Sequence, residues 1–304
     1  MLSRPLTNAL RGIAILLITI SHLIGGGFLI RYFTPLGGIG VAIFLFLSGY
    51  GLNESFQVKG LNCFWGKKVL RIIIPYLIWC LVLSVIKRFL PIDSPSFRRY
   101  WYLEYLFMWY LVFWFTKKVI PQYASIIMVI IAIGLFPFLK NLQTEQTFSF
   151  VLGVVASEQK RLIITISNFK KLMITALFLC FGLGALFLKQ IPSIRAFGEE
   201  SVVVKLIQLG VKLPIGLSVI IGTLLIKNKS LYRSLGYLGI VSLELYLVQM
   251  PFPEYVQSNW IHLLQIVILV AFLTLILYFL VKWTNTFIKQ LYNKVIKSKE
   301  QTLG

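Results

Sequence analysis

The sequence predicts an all-α polytopic membrane protein with about ten transmembrane helices and both termini cytoplasmic, and three observations carry that reading. Apolar residues dominate: 58% are hydrophobic and 13% charged, with a mean hydropathy of +0.84, whereas a soluble domain is about a quarter charged. These residues fall in runs close to the ~20 needed to cross a bilayer. The charge is one-sided, 30 Lys+Arg against 10 Asp+Glu, and the cations cluster between the apolar runs, the pattern that sets membrane topology.

The runs place spans at 8–24, 36–52, 69–87, 101–116, 121–139, 146–157, 171–188, 206–226, 237–256 and 262–282. The sixth is short, so it either spans or re-enters. The first lacks a small-residue cleavage site and is read as a retained helix. No repeat, linker or soluble domain interrupts the series, which gives one transmembrane domain over 1–288 and a basic cytoplasmic tail over 289–304 with Lys289, Lys294, Lys297 and Lys299. Ten spans put both termini on one side. Assigning that side to the cytoplasm places 20 of the 30 Lys+Arg on inner segments, the expected bias. The loop with Lys87, Arg88, Arg98 and Arg99 opposes the rule; it is either an outer basic patch for an anionic substrate or a tolerated exception.

The net charge of +20 does not point to nucleic acid, because no soluble basic face carries it. Cys63, Cys80 and Cys180 show no metal-ligand or disulfide spacing. They are expected to be small core hydrophobes, and no metal is expected.

An ionisable residue in lipid costs about 2.5–3.5 kcal/mol at a helix centre on insertion scales, so the few that remain there are informative. His22 lies deep in the first span, and His262 sits where the tenth begins, at the outer interface. Arg11 precedes His22 by eleven residues. In a continuous α-helix that spacing leaves the two side chains about 20° apart around the axis and roughly 16 Å apart along it. Lys67, Lys68 and Arg71 open the third span at the level of Arg11, with Pro75 one turn later. They either anchor topology or clamp phosphate. Glu104 and Glu244 are acids in or near spans, available for ion pairing or for orienting His22. Glycines at 37, 38, 40, 49 and 51 are expected to let helices approach closely.

Together these residues resemble the acyltransferase 3 family of integral membrane acyltransferases. Arg11 and His22 match its Arg-x10-His pattern, and Gly40 to Tyr50 looks like its second span. Lys68-x-x-Arg71 with Pro75-Tyr76 resembles its Arg-x-x-Arg…Pro segment, and Trp101-Tyr102-Leu103 its fourth span. Ser242 to Leu247 resembles its Ser-x-x-x-Tyr-Leu segment. Two positions depart: Lys68 stands where the first Arg of the pair is usual, and Gln249 where many members have a histidine after Tyr-Leu.

The resemblance implies an acyl-CoA donor, most often acetyl-CoA, and a carbohydrate hydroxyl as acceptor, in the inner membrane of a bacterium. Arg11, Lys68 and Arg71 would hold the CoA phosphates. His22 would act as general base or as transient acyl carrier, with Arg11 beside it in the catalytic pair. Ser48, Trp101, Glu104, Glu244 and Tyr246 would face substrate or support the site. These residues include no appended hydrolase-like domain, so the chain is expected to act alone or through a separate periplasmic or extracellular acyl-transfer partner. The rival readings are a transporter or flippase for a lipid-linked glycan or anion, and a scaffold without chemistry.

Overall fold

The computed structural model describes residues 2–24, 30–88, 100–226, 228–252 and 260–302, with side chains except at 24, 30–32 and 292–302. Arg98 and Arg99 lie outside the described residues, as do the side chains of Lys294, Lys297 and Lys299. Among the described residues the structure is helical throughout, with no strand. Its helices are α1 (Arg4–Thr19), α2 (Ile30–Lys59), α3 (Phe64–Lys68), α4 (Ile74–Ile86), α5 (Trp101–Val119), α6 (Ala124–Leu135), α7 (Asn141–Thr144) and α8 (Ser149–Glu158). Then come α9 (Lys160–Thr165), α10 (Asn168–Leu188), α11 (Pro192–Arg195), α12 (Val202–Leu225), α13 (Lys229–Ile240), α14 (Ser242–Gln249) and α15 (Trp260–Thr302).

All ten expected spans fall on helix, but six helices are long and apolar enough to cross a membrane: Arg4–Leu23, Phe33–Lys59, Phe64–Ile86, Asn168–Leu188, Val202–Leu225 and Trp260–Leu291. The other four differ for separate reasons. Helix α5 carries Glu104, Lys117 and Lys118 within its 19 residues. Helix α6 ends after 12 residues in a 3₁₀ turn at Phe136–Phe138. Helix α8 has 10 residues, about 15 Å of rise or half a bilayer. The ninth span is two helices, because the backbone turns at Val241 between α13 and α14.

Helix α1 lies between α13 and α2, α2 packs on α8, and α12 packs on α10. The contacts are close because glycines strip the interfaces: a Cβ on Gly12 would run into the Leu235 carbonyl, and one on Gly239 into the Asn8 carbonyl. The interior is aromatic, with Trp79, Tyr100, Tyr105, Trp109, Phe113 and Phe150 all under 2% exposed. Conversely, α10 turns Leu172, Leu177, Phe181 and Phe187 outward, as a helix in lipid does. Helix α15 continues through Thr302, so the tail expected to start at 289 prolongs the last span as one helix.

The cysteines depart from the expectation. Cys63 and Cys180 are exposed and Cys80 is half-buried; Cys180 lies on the outward-facing α10 and Cys63 ends the α2–α3 turn with φ 52°.

Two ionic groups brace the bundle, one partly exposed and one buried. At one end, Lys117 of α5 pairs with Glu158 of α8 at 2.9 Å, and Lys160 of α9 pairs with Glu54 of α2 at 3.0 Å. At the other, Thr144, Glu145, Gln146 and Thr147 are all 5% exposed or less. There Lys212 of α12 approaches Glu145 to 3.7 Å, and Gln208 bridges Glu145 to Lys189 once its amide is oriented to donate and accept. Burial pushes the Glu145 carboxyl above the usual carboxylate range, and the Lys212 ammonium pulls it back.

Candidate active site

A cavity of about 480 Å³ opens where α2 meets α3, beside Gly60 and Asn62, and reaches inward along α1, α5 and α14. Four cations line it: Arg11, Lys67, Lys68 and Arg71. Each has a local cause. Arg11 extends from α1 one residue before the Gly12 approach to α13. Lys67 and Lys68 end α3, and Lys67 is steadied by donating to the Asn62 carbonyl at 3.1 Å. Arg71 sits in a five-residue π-turn, Val69–Ile73, that separates α3 from α4. Such turns insert a residue into the helical ladder and recur at functional sites.

Aromatic residues and hydroxyls complete the wall. Tyr102, Leu106 and Tyr110 all line the cavity, four residues apart on one face of α5. The Lys68 ammonium lies 4.5 Å from the Tyr110 ring centroid and 5.3 Å from that of Phe64, a cation–π seat that holds it without neutralising it. Ser48 hydrogen-bonds both Tyr102 and Tyr110. Ser242, Glu244 and Tyr246 enter from the start of α14.

Arg11, Lys67 and Arg71 are near enough to Lys68 to repel it. Among the described residues, no ion pair with a carboxylate ties down Arg11, Lys68 or Arg71. Cations that outnumber the single wall carboxylate, Glu244, leave positive charge for an anion, and phosphate, with its charge-assisted hydrogen bonds, suits them.

The structure therefore gathers Arg11, Lys68, Arg71, Ser48, Glu244 and Tyr246, as the sequence expects, but it leaves three expected residues off the wall. Trp101 and Glu104 lie on α5 away from the Tyr102–Leu106–Tyr110 face, and Trp101 packs at 6.5 Å on the Tyr105 ring. His22 lies beyond the inner end of the cavity. The face of α1 between Arg11 and His22 carries Ala14, Ile15 and Ile18, each 1% exposed or less. His22 also does not continue the line of Arg11. Helix α1 stops at Thr19 and a π-turn, Ile20–Ile24, carries the histidine, which rotates it back by up to about one residue step, or 100°. Its Nδ1 is enclosed and has no hydrogen-bond partner among the described residues.

Polar side chains close to His22 in the chain or packed on α1 and α2 also make hydrogen bonds. Ser21 donates to the Thr34 carbonyl at 3.2 Å, and Gln146 donates to the Gly38 carbonyl at 2.9 Å. Thr19 donates to Gln249 Oε1 at 2.7 Å. The α5 tyrosines were detectable from their fourfold spacing, whereas the Thr19–Gln249 bond joins residues 230 apart in the chain and has no local signature.

No curated protein and no solved structure matches the chain. The sequence profile of the acyltransferase 3 family, described as an acyltransferase domain, matches residues 7–283, which takes in every site residue named above. The chain belongs to the acyltransferase 3 family and is an acyltransferase.

Proposed function

We propose that this acyltransferase moves an acetyl group from acetyl-CoA to a hydroxyl of a cell-surface or secreted carbohydrate, in the inner membrane of a bacterium. The supporting observation is the cavity in which Arg11, Lys67, Lys68 and Arg71 converge, four cations against the one carboxylate of Glu244 and with no ion pair to it among the described residues. A polyphosphate donor meets that demand, and the aromatic and hydroxyl wall suits the arm that follows. Family membership takes the weight from the transporter and scaffold readings. The bundle crosses the membrane about ten times with both termini cytoplasmic, so the cationic cavity faces the CoA pool.

In this reading the phosphates rest on the cations and the pantetheine arm passes between α1 and α14 toward His22. The imidazole takes the proton of the acceptor hydroxyl, whose oxygen bonds to the acetyl carbonyl carbon. The carbon–sulfur bond then breaks, and the imidazolium returns the proton to the CoA thiolate. The acceptor arrives from the opposite face, either directly or through a separate partner protein.

The test follows radiolabelled acetyl-CoA in membranes holding the wild type or His22→Ala at matched expression. Label reaching glycan only with the wild type supports the reading. Equal label in both removes His22 from the chemistry, and no label in either rejects the donor.

A further inference from the structure

Gln249 ends α14, is 0% exposed, and stands at the depth of His22. Its Oε1 accepts the Thr19 hydroxyl at 2.7 Å. Thr19 is three residues before His22, which places the amide within about one helical turn of the imidazole. The bond engages Oε1, and Nε2 is buried without a hydrogen-bond partner among the described residues. A buried donor left unmade costs about 1–3 kcal/mol. A leucine of similar size would be buried there without that cost. A buried donor tied to Thr19, three residues before His22, whose own buried Nδ1 likewise has no partner among the described residues, is a group waiting for a ligand.

The geometry points to Gln249 as the donor that stabilises the oxyanion of acyl transfer, its Nε2–H bonding the acyl carbonyl oxygen while His22 holds the proton. This rests on the acyl-transfer reading and names the second half of its machinery. When the acceptor oxygen attacks, the carbonyl π electrons move onto oxygen. A preorganised amide N–H in a dry site stabilises that charge, and loss of one such donor costs about 10²–10³ in kcat. Thr19 acts through Gln249 as a positioning residue, because its hydroxyl sets which way the amide faces.

The experiment measures initial rates of label transfer from acetyl-CoA to the membrane glycan fraction for the wild type, Gln249→Leu, Gln249→Glu and Gln249→His. It also measures the thermal midpoint of each protein in detergent. Gln249→Glu keeps an acceptor for Thr19 but loses the N–H, and Gln249→His keeps a donor. The expected result is kcat about 10²–10³-fold lower in the leucine and glutamate variants, with the donor KM within about threefold. Gln249→His should retain most of the rate, and the leucine variant should melt at or above the wild type because an orphaned amide is gone. Leucine and glutamate variants with kcat near that of the wild type would overturn the proposal while leaving the acyl-transfer reading intact. So would a rate lost only in step with the melting point, which would make Gln249 structural. A wild type that transfers no label sinks both.

Discussion

The Lys68 ammonium rests 4.5 Å from the centroid of the Tyr110 ring, and Ser48 hydrogen-bonds that same tyrosine. The ring therefore seats the cation from one side, and its hydroxyl is tied to α2 on the other, which leaves the ammonium's free N–H groups turned to the cavity. Lysine at this seat contacts phosphate as a point charge, without the bidentate geometry a guanidinium would bring.

Removing these cations should weaken donor binding more than turnover. Lys68→Ala, Arg71→Ala and Arg11→Ala should each raise the donor KM or Kd by about 10–100-fold, the value of a hydrogen bond to a charged group. Tyr110→Leu should cost less, about 2–30-fold, from loss of the cation–π seat. Equilibrium binding of CoA to the detergent-solubilised protein measures both. Affinity should fall as salt rises, because the exposed Arg71 is screened.

His22 should show the reverse pattern. His22→Ala is expected to lower kcat by about 10²–10⁴ with CoA affinity unchanged, since the histidine lies beyond the cavity wall. Parallel binding and label-transfer measurements separate the two. A His22→Ala protein that binds CoA poorly would mean that the cavity and the histidine form one compartment.

The Glu145–Lys212 pair should be a stability element whose two halves are strongly coupled. Both side chains are under a tenth exposed, so Glu145→Ala leaves an uncompensated buried ammonium and should cost about 3–5 kcal/mol. Replacing both, Glu145→Leu with Lys212→Met, should recover much of that loss. Denaturant titration of the wild type, Glu145→Leu, Lys212→Met and the double variant gives the coupling energy.

Gly12 and Gly239 should not accept a side chain. Gly12→Val and Gly239→Val would drive α1 from α13, since a Cβ at either meets backbone of the partner helix. Overpacking of this kind costs about 1–3 kcal/mol. Gly12→Val should also weaken CoA binding, because it displaces the neighbouring Arg11. A thermal midpoint and a Kd on one preparation check both effects.

Side-chain chemistry was the legible part of this molecule. Cations and apolar runs in the sequence located Arg11, Lys68 and Arg71 and the six long spans, because each depends on what a residue is. Backbone events were not legible. The π-turns at Ile20–Ile24 and Val69–Ile73 and the turn at Val241 arise from helix–helix fit and leave no periodic trace. They account for the missed angle between Arg11 and His22 and for the divided ninth span. Trp101 and Glu104 were misplaced for a simpler reason: the cavity-facing stripe of α5 starts at Tyr102, and Glu104 is two residues, about 200°, around the helix from it.

The apolar segment of Ala14, Ile15 and Ile18 between the cationic cavity and His22 has a consequence for the membrane itself. A chain with cations at one level and a histidine some turns deeper would conduct protons if water joined the two. A buried apolar stretch of about two helical turns leaves no polar side chain on that face to carry such a wire. The acyl arm that fits this stretch would replace apolar side-chain contacts with its own apolar atoms, and the membrane would stay sealed through turnover as well as at rest.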